Sequence, residues 1–122
     1  MIGFVKHVSI PIKDQDRALK FYTEKLGFVV TTDAPMGEGQ HWIELDLPKG
    51  NTRIVLCTLE NHEDRIGTNQ NIIFAADDVK KTYQELKEKG IEFITEPQEQ
   101  PWGIFAVFKD SENNQFILSS PN

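Results

Sequence analysis

An α+β fold made of two βαβββ modules is predicted by three features of the sequence. The stretch from His7 to Phe28, HVSIPIKDQDRALKFYTEKLGF, reads as a strand, an Asp-bearing turn, an amphipathic helix and a glycine stop. A worn copy of it, NIIFAADDVKKTYQELKEKGIEF, begins at Asn71. Each copy is followed by a series of short apolar runs separated by turn residues. A repeat of this length means that each module supplies half of one structure, because neither half buries its helix stripe and sheet face alone.

In the first copy, Val8, Ile10 and Ile12 alternate with His7, Ser9 and Pro11, the period of a strand with one apolar face. Asp14 or Asp16 caps a helix whose buried stripe is Ala18, Leu19, Tyr22 and Leu26, and Gly27 stands just after its end. Phe28 to Thr31 form the next strand, which stops at Asp33 to Pro35, and Met36 to Gln40 make a turn. His41 to Leu47 alternate cleanly, with Ile43, Leu45 and Leu47 on one face and Trp42, Glu44 and Asp46 on the other. A turn at Pro48 to Asn51 leads into a strand from Arg53 to Thr58.

The polar stretch from Leu59 to Gln70 has little apolar periodicity and reads as the linker between module 1, residues 1–58, and module 2, residues 71–122, of one domain spanning 1–122. Module 2 runs through a strand at Asn71 to Ala76, a helix capped by Asp77 or Asp78 and stopped by Gly90, and a short strand at Ile91 to Thr95. A proline-bearing loop from Glu96 to Gly103, a strand from Ile104 to Lys109, a turn at Asp110 to Asn114 and a strand from Gln115 to Ser119 complete it. Asp14 to Asp78, Leu19 to Tyr83 and Tyr22 to Leu86 are displaced by 64, but Gly27 to Gly90 by 63, so one residue is lost near the second helix's end.

Composition bounds the function. With 122 residues, 39% hydrophobic and 26% charged, the chain is of ordinary globular character. A net charge of −6 with no cluster of Lys and Arg argues against nucleic acid or an anionic membrane as partner. No apolar run has membrane-spanning length, and MIGFVKHVSI leads straight into a strand without a cleavage pattern, so a cytoplasmic location is expected. A single cysteine, Cys57, excludes an internal disulfide and a Cys-based zinc site.

The paired modules resemble the vicinal oxygen chelate superfamily, which includes glyoxalase I, extradiol dioxygenases, fosfomycin-modifying enzymes and bleomycin-resistance proteins. The resemblance rests on HVSIPIKDQDRALKFYTEKLGF, on IIFAADDVKKTYQELKEKGIEF and on the turn DSENNQFIL from Asp110 to Leu118. It implies that the two modules form one cup-shaped, mixed-sheet cavity and that the protein is a homodimer. It also implies four metal-ligand positions, on the first and last strands of each module, which fall here on His7, Val55, Asn71 and Ile117. Val and Ile carry no lone pair and an Asn carbonyl is a weak neutral donor, whereas a catalytic divalent ion needs about three protein ligands. No metal or other cofactor is therefore expected; a divalent ion enters only if other residues recruit it.

Other candidates follow from the residues. His41 and Glu44 fall on opposite strand faces, and His62 lies in the polar linker, so both histidines read as solvated. His7 shares a face with Ser9 and Pro11 and is the candidate proton donor or acceptor, with Glu44 or Cys57 near it. Cys57 shares a face with Val55 and Arg53, and a cation beside a thiol favours thiolate. Trp42 with Glu44 and Asp46, and Trp102 with Phe105, suit a flat or cationic organic ligand held by stacking and cation–π attraction. His7, Trp42, Glu44, Arg53, Val55, Cys57, Asn71, Trp102, Phe105 and Ile117 are the candidate ligand-binding residues.

Three functions remain open: a metal-independent small-molecule-binding protein, a metal-dependent lyase, dioxygenase or transferase, and a metal-free acid–base enzyme using His7. The missing ligands, the acidic balance and the tryptophans place the first ahead.

Overall fold

The computed structural model describes residues 1–58 and 63–121 and divides into two compact units, Met1–Ile66 and Gly67–Asn122. In the first, β1 (His7–Pro11), α1 (Gln15–Lys20), β2 (Val29–Gly37), β3 (Gln40–Asp46) and β4 (Arg53–Cys57) form a four-stranded sheet of order β1-β4-β3-β2. In the second, β5 (Asn69–Ala75), α2 (Val79–Glu88), β6 (Phe93–Gln100), β7 (Gly103–Lys109) and β8 (Gln115–Ser119) repeat the plan as β5-β8-β7-β6. In each sheet the first and last strands are parallel and the rest antiparallel, so both sheets are mixed. The α+β fold of two βαβββ modules is the one expected.

The linker is shorter than its polarity suggests. Glu63–Arg65 make a single 3₁₀ turn, and β5 begins at Asn69 rather than Asn71. Leu59 to His62, including the candidate His62, lie outside the described residues.

Hydrophobic alternation sets the first core. Ile10, Ile43, Leu45, Ile54 and Leu56 are all buried on one sheet face, together with Ala18, Phe21 and Tyr22 of the helix. Each of the buried Ile, Leu and Phe side chains stabilises the unit by roughly 1.5–3 kcal/mol. Asp14 caps α1 by accepting from the Arg17 backbone N–H at 3.0 Å. The helix then widens into a π-helical turn at Phe21–Lys25, where the Leu26 N–H bonds the Phe21 carbonyl. This turn absorbs the residue by which the helix of module 1 exceeds that of module 2. It also corrects the expected stripe: Phe21 is buried, whereas Leu19 and Leu26 are only half-buried. Gly27, with φ +75°, follows in the left-handed conformation that the stop requires.

In the second unit Asp78 caps α2 through the Lys81 N–H at 3.1 Å, and Val79, Tyr83 and Leu86 are its buried positions, as the periodicity predicts. Phe74, Phe108 and Phe116 cluster with ring centroids 5.3–6.2 Å apart. The segment from Glu96 to Gly103, expected as a loop, is instead strand almost throughout, with its turn only at Pro101 and Trp102. Proline does not end the strand here or at Pro35, which lies within β2. Both β2 and β6 are sheet edges, where a residue without an N–H need not interrupt the ladder. Among the described residues no helix is long and apolar enough to cross a membrane.

Candidate functional site

The polar site belongs to the first unit, on the sheet face opposite α1. Parallel pairing puts His7 beside Arg53 and Ser9 beside Val55, and antiparallel pairing puts Glu44 beside Val55. Because paired positions share a face, His7, Arg53, Glu44 and Val55 come together, with Trp42 and Asp46 one alternation to either side of Glu44.

Glu44 is the centre of this cluster. Its Oε2 accepts from Trp42 Nε1 at 2.7 Å, and its Oε1 accepts from Arg53 Nη1 at 3.1 Å. His7 Nε2 stands 3.2 Å from the same Oε1, at ion-pair distance but without the alignment of a hydrogen bond, and that nitrogen is buried. Arg53 Nε donates to Asp46 Oδ1 at 2.9 Å. The rings of His7 and Trp42 meet edge to face with centroids 6.0 Å apart. The Glu44 carboxyl is held below the usual carboxylate range, chiefly by the Trp42 hydrogen bond, with Arg53 and His7 adding to it against the opposing effect of burial. The Arg53 guanidinium is raised above its ordinary value by hydrogen bonds to Asp46 and Glu44.

Two expectations change on this geometry. The carboxylate expected to meet a cationic ligand is already engaged by Trp42 and Arg53. Cys57 is buried and lies four residues from Arg53, about 13 Å along an extended strand, while the guanidinium turns to Glu44 and Asp46. Arg53 is thus not the adjacent cation that the shared strand face suggested for the thiol.

The second unit carries a different surface. Ile73, Ile117 and Val107 are in register across β5, β8 and β7, and Ile73 is 63% exposed. Trp102, 55% exposed, stacks on Phe105 with centroids 5.5 Å apart and 24° between the planes. Asn71 does not occupy the ladder position that the displacement of 64 assigns to it. It sits in the irregular stretch between Asn69 and Ile73, with φ +58°, and its N–H is taken by Asn69 Oδ1 at 2.8 Å.

On the helix-side face of β3 an open groove of about 690 Å³ is lined by residues including Gln15, Asp33, His41 and Thr58. His41 Nδ1 pairs with Asp33 Oδ1 at 2.5 Å. The Gln15 amide holds both backbone groups of His41, donating to its carbonyl at 2.6 Å and accepting from its N–H at 3.0 Å. His41 therefore has a carboxylate partner, Asp33, where the sequence reading gave it none, and Asp46 is likewise an unforeseen partner of Arg53. The signal for both was cross-strand: each pairing needs the register of two strands, which alternation within one strand does not supply.

The family model of the glyoxalase/bleomycin resistance protein/dioxygenase superfamily matches residues 4–118. The chain belongs to this superfamily. It is 37% identical to the uncharacterized protein YetH of Bacillus subtilis (strain 168) over 119 residues, covering 97% of this chain and 98% of that one. Among solved structures, UcmS2 superposes with a TM-score of 0.87 at 32% identity, covering 99% of this chain and 100% of the other. TnmS3, described as an antibiotic binding protein from Streptomyces sp. CB03234, superposes with a TM-score of 0.86 at 28% identity, covering 99% and 98%.

Superfamily membership makes a divalent ion the group to test against the residues present. Val55 and Ile117 have no lone pair, Asn71 lies off the ladder, and His7 turns Nε2 toward Glu44. Among the described residues no three of His, Cys, Asp and Glu gather as a ligand set. These positions do not fit a divalent ion.

Proposed function

We propose that the chain is a metal-independent binding protein for a small, flat organic molecule, held on the polar sheet face of the first unit. The observation that carries this reading is the engagement of Glu44 by Trp42, Arg53 and His7. A carboxylate tied into its own sheet is a structural centre for a binding surface, and among the described residues no set of three ligands gathers for an ion. The Trp42 ring and the half-exposed edge of His7 supply the aromatic contact. The description of TnmS3 as an antibiotic binding protein supports a small-molecule ligand. The exposed apolar face around Ile73 and Trp102 supports a homodimer, and a lone free cysteine is in keeping with a reducing, cytoplasmic setting.

Elemental analysis of protein purified without chelator, followed by addition of nickel, zinc, manganese and ferrous iron, tests the reading. Substoichiometric metal and no tight site support it. One tightly held ion per chain overturns it in favour of a lyase, dioxygenase or transferase. A second reading, a metal-free acid–base enzyme, is favoured by the Glu44 carboxylate behind His7, and its mark is turnover abolished by His7→Ala.

A further inference from the structure

The two nitrogens of His7 are in unlike surroundings. Nε2 is buried and 3.2 Å from the Glu44 carboxylate; Nδ1 bonds to none of the described residues, and the side chain keeps 23% exposure. We infer that Glu44 is a positioning residue that holds neutral His7 as its Nε2–H tautomer, so that Nδ1 offers an acceptor to a ligand carrying a hydroxyl or amide N–H. The inference rests on the reading of this face as the ligand site and specifies what is recognised there.

The bias is electrostatic. A neutral imidazole carries one proton on one of its two nitrogens, and its partner decides which. A lone pair on Nε2 aimed near a carboxylate is repelled, whereas an N–H there is attracted even when imperfectly aligned. The carboxylate is kept ionised by the hydrogen bonds from Trp42 and Arg53, so the bias on His7 persists. With the proton on Nε2, the lone pair is on Nδ1.

Neither carboxylate of this face competes with that lone pair for a donor on a ring seated on Trp42. Glu44 keeps only 11% of its side chain exposed, and its two oxygens already accept from Trp42 and Arg53. Asp46 is four residues from Trp42 on β3, about 13 Å along the strand, beyond the span of one aromatic ring. The His7 ring, by contrast, stands 6.0 Å from the indole, edge to face. A flat ring lying on Trp42 and bearing one O–H or N–H donor at its margin matches this spacing.

Two measurements test the inference. At about pH 8, 2-naphthol and 2-methoxynaphthalene are titrated into the native protein with isothermal titration calorimetry as readout. The rings are the same and only the O–H differs, so 2-naphthol should bind about fivefold more tightly, the worth of one modest hydrogen bond. Equal affinities overturn the inference and leave the binding face standing; no binding of either overturns the reading of the face as a ligand site, and the inference with it. Nitrogen-15 NMR of histidine-labelled protein then reads the tautomer directly. Nε2–H is expected for His7, with an increased share of Nδ1–H in a folded Glu44→Gln protein. A wild-type Nδ1–H tautomer, or one unmoved by Glu44→Gln, overturns it.

Discussion

Trp42 Nε1 donates to Glu44 Oε2 at 2.7 Å from two positions away on the same face of β3. The alternation of the strand makes that meeting possible, and the bond joins an aromatic wall to the charge centre of the site. Trp42→Phe keeps most of the ring and removes the donor. Hydrogen bonds to charged groups are worth roughly 1.5–3 kcal/mol, and Glu44 retains Arg53, so a loss of about 1–2 kcal/mol is expected. Urea unfolding checks it through the midpoint at constant m-value; an unchanged midpoint would show that the bond contributes nothing.

The lowered Glu44 carboxyl fixes the sign of a pH dependence. A carboxyl whose folded value lies below its ordinary value of 4.5 contributes stability that is fully present above that ordinary value. The contribution is lost as the pH falls through the lower folded value. The stability difference between wild type and Glu44→Gln should therefore shrink as the pH falls below the ordinary carboxyl value. A difference that grows on acidification contradicts the assignment.

Arg53 joins two carboxylates of unequal exposure. Its partner Asp46 has 48% of its side chain exposed and Glu44 only 11%. Exposed ion pairs contribute roughly 0–1 kcal/mol because water and salt screen them. Double-mutant cycles should give a larger coupling for Arg53 with Glu44 than with Asp46, and the Asp46 coupling should fade with added salt. The reverse order would place the stabilising charge at the rim.

Two glycines should respond differently to alanine. At Gly27, φ is +75° and an added Cβ meets nothing within 4 Å. The cost is then conformational, roughly 1–2 kcal/mol. At Gly103, where φ is +142°, the added Cβ would overlap Ser120 Oγ, whose hydroxyl accepts from the Ile104 N–H at 3.1 Å. Gly103→Ala should cost more than Gly27→Ala in thermal or chemical unfolding; equal costs would mean that Ser120 moves aside freely.

Much of the fold was legible because it is written in local patterns. Asp14 and Asp78 stand at helix starts, Gly27 and Gly90 at helix ends, and the alternating faces of β3 separate Ile43 and Leu45 from Trp42 and Glu44. Even the change of displacement from 64 to 63 had a physical counterpart, the π-helical turn at Phe21–Lys25. The misread parts depend on neighbours. Pro35 and Pro97 looked like strand breakers until the sheet order made β2 and β6 edges. Asn71 matched His7 by counting, but the irregularity before Ile73 takes it off the ladder. In the site, His7, Trp42, Glu44 and Arg53 were each legible as candidates, while their convergence on one carboxylate required the pairing of β1, β3 and β4.

Binding without metal can be read in a single titration. The protein is stripped with chelator, dialysed and titrated with a panel of flat hydroxylated aromatic compounds, following the emission of Trp42 in a Trp102→Phe background. Saturable binding in the stripped protein, unchanged when zinc, nickel, manganese or ferrous iron is restored, is the result predicted. Binding that appears only after one equivalent of metal is returned would contradict the account.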